Sequence, residues 1–178
     1  MIWHKRTIKL EKNFPIQAKP GNNVFVANRG DVSFEYPGSW IVKPSENSIC
    51  FHDAEPPADN CVLELSIMHL NFGVDWSKCP LDQVLCAAVG GEAGPRERSE
   101  VHELPRKDFR IVWLESSFTD PVERRLALTR SALALRAEVL PLFTFSFWPE
   151  HKLKWEPVWK DIFETLRLAE GQRFKSRN

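Results

Sequence analysis

The chain has 178 residues, with 24 basic and 24 acidic side chains, so its formal net charge at pH 7 is zero. This length is typical of one domain, which buries roughly 70% of the surface that its unfolded form exposes. The balanced charge argues against nucleic acid or an anionic membrane as a partner.

The first residues, MIWHKRTIKLEKNFPIQ, lack the long apolar run of a signal peptide. No later stretch reaches the ~20 apolar residues of a membrane span. We therefore expect a cytoplasmic protein without membrane insertion. Residues 1–22 carry five basic side chains against one acid, with two prolines and a glycine. They predict an N-terminal arm; such an arm can steer toward an acidic partner, but a solvated surface segment is the simpler interpretation.

The four cysteines are Cys50, Cys61, Cys79 and Cys86. In a cytoplasmic chain the default state is the reduced thiol. Their spacing matches no zinc motif and the five histidines lack paired ligand spacing, so we predict no structural metal and no cofactor. Cys50 and Cys61 fall on neighbouring predicted strands, where oxidation can join them if the geometry allows.

Alternating apolar residues predict strands through the first part of the domain. Asn23–Ala27 and Val32–Tyr36 flank a turn sequence, NRGD, and predict a hairpin. Further strands are predicted at Trp40–Val42, Ser48–His52 and Cys61–Leu70.

The connection between the last two of these strands is acidic. Asp53, Glu55 and Asp59 are ligands that suit a hard cation, but the loop holds two prolines and no calcium-loop pattern. A solvated hairpin loop is the preferred interpretation.

The middle of the chain predicts one short helix and one clear strand. Pro80–Val89 has a helical apolar stripe, and Gly90 is placed to end it. Gly91–Pro95 is predicted as a flexible turn, and Arg96–Leu104 as a charged edge strand or loop. Asp108–Phe118 alternates as a sheet strand does.

The segment Pro121–Leu140 gives conflicting signals. Its content of Ala, Leu, Arg and Glu favours a helix by intrinsic propensity. Alternatively, two strands joined by a turn near Leu133–Arg136 complete a meander with Leu142–Trp148. The residues alone favour the helix, and both interpretations stay open.

The stretch Pro141–Leu168 predicts a strand that leads into a helix. Leu142–Trp148 alternates strictly and is rich in phenylalanine, which is typical of a half-buried strand, and Pro149 ends it. Pro157 suits a first helical turn. An apolar stripe of helical period follows: Trp159, Ile162, Phe163 and Leu166. Residues 169–178 are polar and basic and predict a flexible tail.

Two segments carry a resemblance to a known family. VSFEYPGSWIV (Val32–Val42) is similar to the strand, Tyr-Pro turn and Trp that open PsbP-like proteins. FTFSFWPEHKLKWEPVWKDIFETLRL (Phe143–Leu168) resembles their closing strand and helix. The family includes PsbP, an extrinsic subunit of photosystem II, the Ran-binding Mog proteins, DcrB-like lipoproteins and Eag-type secretion chaperones.

The resemblance implies an α+β domain over residues 23–168, with an antiparallel β-sheet packed between helices in an α/β/α sandwich. It also favours strands for Pro121–Leu140. The chain departs from particular relatives, because it shows no PsbP-type leader and its first cysteine is Cys50, too late for a lipid anchor. No residue matches a Ran-contacting or metal-binding motif, so no functional residue is transferred, and fold alone does not license function.

Two classes of function remain. The first is a non-catalytic binding, accessory or chaperone-like module for a protein partner, because seven tryptophans and 12 phenylalanines exceed what an economical core needs. Trp3, Trp76 and Trp155 lie in predicted loops or at element ends, so they are the candidate partner-binding residues. The alternative for any one ring is that it fills the core.

The second class is a small metal-dependent or hydrolytic enzyme. Its candidates are His52 with Asp53 and His69 with Glu64, because a carboxylate can orient and charge an imidazole. Adjacent strand residues point to opposite faces, so His52 and Asp53 need the loop to bring them together. Since no nucleophile elbow, zinc-binding helix or nucleotide loop is present, we predict a protein that is not an enzyme, without catalytic or metal-binding residues.

Overall fold

The computed structural model describes residues 18–90 and 97–169. The described strands are β1 (Asn22–Ala27), β2 (Val32–Pro37), β3 (Ile41–Pro44), β4 (Ile49–His52), β5 (Cys61–His69), β6 (His102–Glu103), β7 (Arg110–Thr119), β8 (Leu126–Leu135), β9 (Val139–Phe147) and β10 (Arg167–Leu168); the helices are α1 (Leu81–Val89) and α2 (Lys152–Thr165). Predictions on Trp3, on most of the N-terminal arm, on the Gly91–Pro95 turn and on the basic tail lie outside the described residues.

The strands form two antiparallel sheets. The larger has seven strands in the order β3-β4-β5-β9-β8-β7-β6, and the smaller has three in the order β1-β2-β10. At the centre of the larger sheet β5 pairs with β9 along its whole length, from Cys61 opposite Phe147 to His69 opposite Val139. The pairing therefore joins the N-terminal strands β3–β5 to the C-terminal strands β7–β9 in one sheet.

The two helices cover opposite faces of the larger sheet. On β8, Ala132 and Ala134 belong to the cluster that packs against α2, whereas Leu133 and Leu135 belong to the cluster around α1. The smaller sheet packs on the α2 side through side chains such as Phe34 of β2. The arrangement is the predicted α+β architecture, with the sheet between helices.

The predicted elements before β8 are confirmed to within two residues at each end, apart from β6, a two-residue strand inside the segment predicted as an edge strand or loop. The helix favoured by propensity for Pro121–Leu140 is wrong. The segment holds a turn and one strand, β8; the reversal comes at Arg136–Glu138, and its second arm is β9 itself. Burial on both faces outweighs helix propensity here, as tertiary context often does.

Helix α2 begins at Lys152, five residues before the predicted start at Pro157. Pro157 inside the helix cannot donate a hydrogen bond to the Leu153 carbonyl. Both residues are exposed, so water is available to that carbonyl. The predicted apolar stripe is confirmed, since its four side chains are buried.

The early start of α2 changes the environment of Trp155. This residue lies one turn before Trp159 on the same stripe, and it is only 4% exposed. Its ring packs against Trp40 at 5.9 Å and Phe145 at 6.4 Å between centroids. The expectation that Trp155 is exposed is therefore wrong, because it belongs to a helix rather than to the preceding loop.

Candidate functional site

Both histidines singled out in the sequence bind carboxylates, but not the predicted ones. His52 Nδ1 lies 2.8 Å from Asp59 Oδ2, and His69 Nε2 lies 3.0 Å from Asp31 Oδ2. His52 lies opposite Val62 in the β4–β5 ladder. Val62 is seven residues before His69 on β5. At 3.3 Å per residue, about 23 Å separates the backbone positions of the two histidines along the strand. They do not converge on one site.

The acidic loop directs its carboxylates to local partners. Asp53 Oδ1 accepts hydrogen bonds from the backbone N–H groups of Asn60, at 2.7 Å, and Cys61, at 3.1 Å. Glu55 forms an ion pair with Lys43. Across residues 18–90 and 97–169, no three His, Cys, Asp or Glu side chains are grouped so that they can hold a metal ion. The carboxylates of this loop hold its own shape.

The cysteines of β4 and β5 cannot join. Cys61 faces the α2 side with Leu63, whereas Cys50 pairs with Glu64 on the other face of the sheet. A disulfide needs Cβ atoms that point toward each other, so the geometry does not allow the pairing of Cys50 and Cys61 that the sequence left open, and both thiols are free. Burial, and then the Asp53 carboxylate, raise the pKa of the Cys61 thiol far above its usual range. Burial likewise raises the pKa of Cys50.

We expect Cys61 to resist alkylation in the folded protein. At pH 8 its reaction with iodoacetamide should be at least about 100-fold slower than after unfolding in urea, since each unit of raised pKa lowers the thiolate fraction tenfold. Peptide mapping by mass spectrometry measures this, with the half-buried Cys79 and Cys86 as internal comparisons. Equal rates in the folded and unfolded states would contradict the burial of Cys61 under α2.

A buried charge cluster joins α2 to the sheet. Arg130 on β8 is 3% exposed, and its Nε lies 2.9 Å from Glu115 Oε2 while one terminal nitrogen lies 2.7 Å from Glu156 Oε2 of α2. Lys152 of α2 also contacts Glu115, at 2.5 Å. Burial raises the pKa of Glu115, but hydrogen bonds from Lys152 and Arg130 outweigh it and hold the pKa below its usual range.

Aromatic rings surround the same guanidinium. The rings of Trp113, Phe147 and Trp159 lie 5.5 to 5.8 Å from its central carbon. The second terminal nitrogen has no hydrogen-bond partner among the described residues. The cluster holds α2 in place.

A groove of about 500 Å³ lies at the C-terminal end of α2. On its wall Arg106 donates to the carbonyls of Phe163, at 3.0 Å, and Leu166, at 3.2 Å, which the end of the helix leaves without partners. Arg106 also forms a bidentate pair with Asp108 and lowers the pKa of that carboxyl. The polar groups of this wall therefore satisfy the carbonyl groups at the C-terminal end of α2.

The loop between β5 and α1, residues 70–80, is fixed at several points. The backbone N–H of Leu70 donates to the Glu138 carbonyl at 2.8 Å, and the indole N–H of Trp76 donates to the Asn71 carbonyl at 3.0 Å. At the far end Arg110 donates to the carbonyls of Ser77, at 3.1 Å, and Cys79, at 2.7 Å. We call residues 70–80 the Phe72 loop.

The Phe72 loop displays apolar side chains to solvent. Phe72 is 76% exposed and Val74 is 49% exposed. Gly73 between them has φ +82°, a conformation that L side chains rarely adopt, and this turn carries both side chains outward. Trp76, a predicted site residue, is half-buried and packs on the cluster around α1. Trp76 therefore supports the loop from the side that faces α1.

Phe72 and Val74 are not candidates by sequence alone. The available signal is two apolar residues that flank a glycine in a segment between predicted elements. Such a pattern is weak, because exposed single apolar residues are common.

The described part of the chain contains no helix with the length and apolarity that a membrane crossing requires.

Comparison with protein families places most of the chain in one group. A family model described as Alr1449 matches residues 23–171. The chain is 36% identical over 169 residues to "Uncharacterized protein alr1449" of Nostoc sp. (strain PCC 7120), a match that covers 94% of this chain and 88% of the relative.

Solved structures share the fold at low identity. Cyanobacterial PsbP (CyanoP) from Synechocystis sp. PCC 6803 superimposes with a TM-score of 0.61 at 10% identity, over 85% of this chain and 95% of that one. The Saccharomyces cerevisiae Ran-binding protein Mog1p gives 0.56 at 6% identity, over 84% and 96%. The chain spans about half of a Bacteroides thetaiotaomicron structure, which gives 0.62 at 13% identity over 85% of this chain. The predicted PsbP-like fold is confirmed.

Proposed function

Since the chain belongs to the Alr1449 family, we propose a function from its own surface: a non-catalytic accessory module that binds a protein partner in the cytoplasm. The observation that carries the proposal is the exposure of Phe72 on a loop whose backbone is held by hydrogen bonds. The partner presents an apolar pocket or groove to this loop.

The physical argument is preorganisation. An aromatic side chain that enters a partner's pocket contributes strongly to binding, and such residues dominate many interfaces. Binding costs less when the loop is already ordered, because fewer backbone conformations are lost. In the Phe72 loop the indole of Trp76 and the guanidinium of Arg110 supply that order. Trp76 thus acts as a support for the contact surface, with Phe72 and Val74 as the contacts.

Structural neighbours are compatible with a binding role. Mog1p is described as a Ran-binding protein, so this fold accommodates protein binding in at least that neighbour. At 6% identity the likeness shows the fold alone, and the partner of this chain is not inferred from it.

The alternative function, a small metal-dependent or hydrolytic enzyme, is less well supported by the described residues. His52 and His69 bind separate carboxylates at distant positions of the sheet. Burial raises the pKa of the thiols on the same two strands, Cys50 and Cys61, which disfavours the nucleophilic thiolate.

Replacing Phe72 with serine should weaken partner binding roughly 30-fold, the equivalent of about 2 kcal/mol for one aromatic contact. The purified protein is used to capture partners from its native cytoplasm, retained proteins are quantified by mass spectrometry, and the leading candidate is then titrated as a purified protein. Val74→Ser should weaken the same interaction to a smaller degree.

The matched control is Leu153→Ser, because Leu153 is 88% exposed on α2 and lies outside the loop. It should leave binding unchanged, and all three variants should keep the thermal stability of the parent. A purified partner whose affinity is equal for the parent, Phe72→Ser and Leu153→Ser would overturn the proposal that the Phe72 loop is the contact surface.

A further inference from the structure

Strand β1 is an edge strand without the usual protection. It pairs with β2 alone, through a continuous register from Asn22 opposite Pro37 to Ala27 opposite Val32. Its sequence, NNVFVA, contains no charge and no proline. Natural sheets commonly guard such an edge with lysine, proline or a bulge. Among the described residues, no strand pairs with the outer edge of β1.

The hydrogen bonds of β2 show which groups of β1 point outward. Glu35 lies opposite Val24, and its backbone N–H donates to Thr165 Oγ1 at 3.0 Å, on the side of β10. The pair of Val24 and Glu35 is therefore the type in which both residues turn their N–H and C=O away from each other. The backbone N–H and C=O of Val26, two residues further along β1, point the same way as those of Val24. Its partner Ser33 pairs with Arg167 of β10 on the other side of β2.

The side chains of this strand are divided between two environments. Val24 and Val26 lie on the outer face of the smaller sheet, where Val26 is 52% exposed. Phe25 lies on the inner face, 5.4 Å from Phe34 and 5.1 Å from Phe51 between ring centroids. The outward backbone groups thus belong to Val24, which is half-buried, and to Val26, which is exposed.

We propose that β1 pairs with β1 of a second copy of this chain, antiparallel about a twofold axis through Phe25. In this register Val24 of each protomer lies opposite Val26 of the other, and each of these two pairs exchanges two backbone hydrogen bonds. Phe25 lies opposite Phe25 as the closer, non-hydrogen-bonded pair. The three-stranded sheets join into one continuous sheet.

The second copy is favoured over another partner by three features of the strand. Two uncharged strands meet without like-charge repulsion. The twofold register satisfies the outward N–H and C=O groups of Val24 and Val26 on both chains at once, as an isologous interface requires. Valine opposite valine is a favourable cross-strand pair, and it covers the exposed side chain of Val26.

The association is concentration-dependent, because one six-residue edge buries far less than the ~1,200 Å² of a stable interface. Sedimentation equilibrium of the full chain should show the average mass rising from the monomer toward twice that value between about 5 µM and about 500 µM. Over the same range, amide exchange measured by NMR should slow for Val24 and Val26, whose N–H groups point away from β2.

Two variants test the register. Val26→Lys places a charge opposite Val24 of the other copy and should hold the mass at the monomer value over the whole range. Val24→Pro removes an N–H that points away from β2, so the monomer should fold while association is lost. The matched control Val26→Thr keeps the β-branched shape and should associate as the parent does.

A mass that stays at the monomer value in the parent overturns the proposal, and then the edge is left for an extended segment of another protein. It is equally overturned if Val26→Lys associates as the parent does, or if a dimer forms while the amides of Val24 and Val26 exchange as fast as in the monomer. Circular dichroism of each variant separates loss of pairing from loss of fold.

Discussion

Replacing Arg130 with alanine is expected to lower the free energy of unfolding by about 3–5 kcal/mol. The change leaves Glu115 and Glu156 without the guanidinium that holds them, and Glu115 lies largely under α2, with its side chain 18% exposed. It also opens a cavity among the rings of Trp113, Phe147 and Trp159. Urea unfolding followed by circular dichroism measures the difference.

The control for this prediction is Lys152→Ala. Lys152 binds the same carboxylate, but its side chain is 45% exposed, so its loss should cost no more than about 1 kcal/mol. Combining Arg130→Ala with Glu115→Ala should cost less than the sum of the two single changes, since the unpaired carboxylate is removed with its partner. Additive costs would contradict a direct interaction between the two side chains.

Replacing Trp155 with alanine is expected to destabilise the fold by a similar amount, about 3–5 kcal/mol, because a large buried ring is lost between α2 and the sheet. The change should leave partner binding intact at temperatures where the variant is folded. The measurement is again urea unfolding, with titration of the purified partner as the second readout.

Trp155→Phe supplies the matched comparison. The indole N–H of Trp155 has no hydrogen-bond partner among the described residues, so phenylalanine loses ring area without losing a hydrogen bond. Its cost should stay below about 2 kcal/mol. Leu153→Ala, at an exposed position of the same helix, should fall within about 0.5 kcal/mol of the parent. If Trp155→Ala matches Leu153→Ala, the ring is not part of the core.

Periodicity in the sequence predicted the elements whose burial is one-sided. The alternation of Leu142–Trp148 corresponds to β9, which faces α2 with Phe143, Phe145 and Phe147. The stripe from Trp159 to Leu166 likewise reflects a helix with one buried face. In both cases the side-chain pattern follows from having one face in the core and the other face less buried.

The same reasoning failed where burial has two sides or depends on distant strands. In β8 both faces are buried over Thr129–Leu135, so apolar and small residues follow one another and the period of two disappears. The faces of Cys50 and Cys61 depend on the register of β4 with β5. The carboxylate bound by His69 is Asp31, 38 residues away in the chain. No local pattern encodes such contacts.

The candidate contact surface, the Phe72 loop, could not be predicted from the sequence either. The position of Trp76 near an element end makes it a candidate by sequence, but its indole is turned inward to hold the loop. Phe72 is exposed because Gly73 has a positive φ and because Arg110 of β7 fixes the far end of the segment. Only the tertiary structure reveals that this loop is ordered.

The pairing of β5 with β9 has a consequence for how the protein is made. His69 and Val139 face each other, yet residues 70–138 lie between them, so β5 leaves the ribosome long before its neighbour. Until β9 emerges, one edge of β5 is open, and contacts so distant in sequence form slowly. We expect nascent chains that stop before Val139 to stay unfolded and prone to aggregation, because an unpaired apolar strand edge recruits other chains.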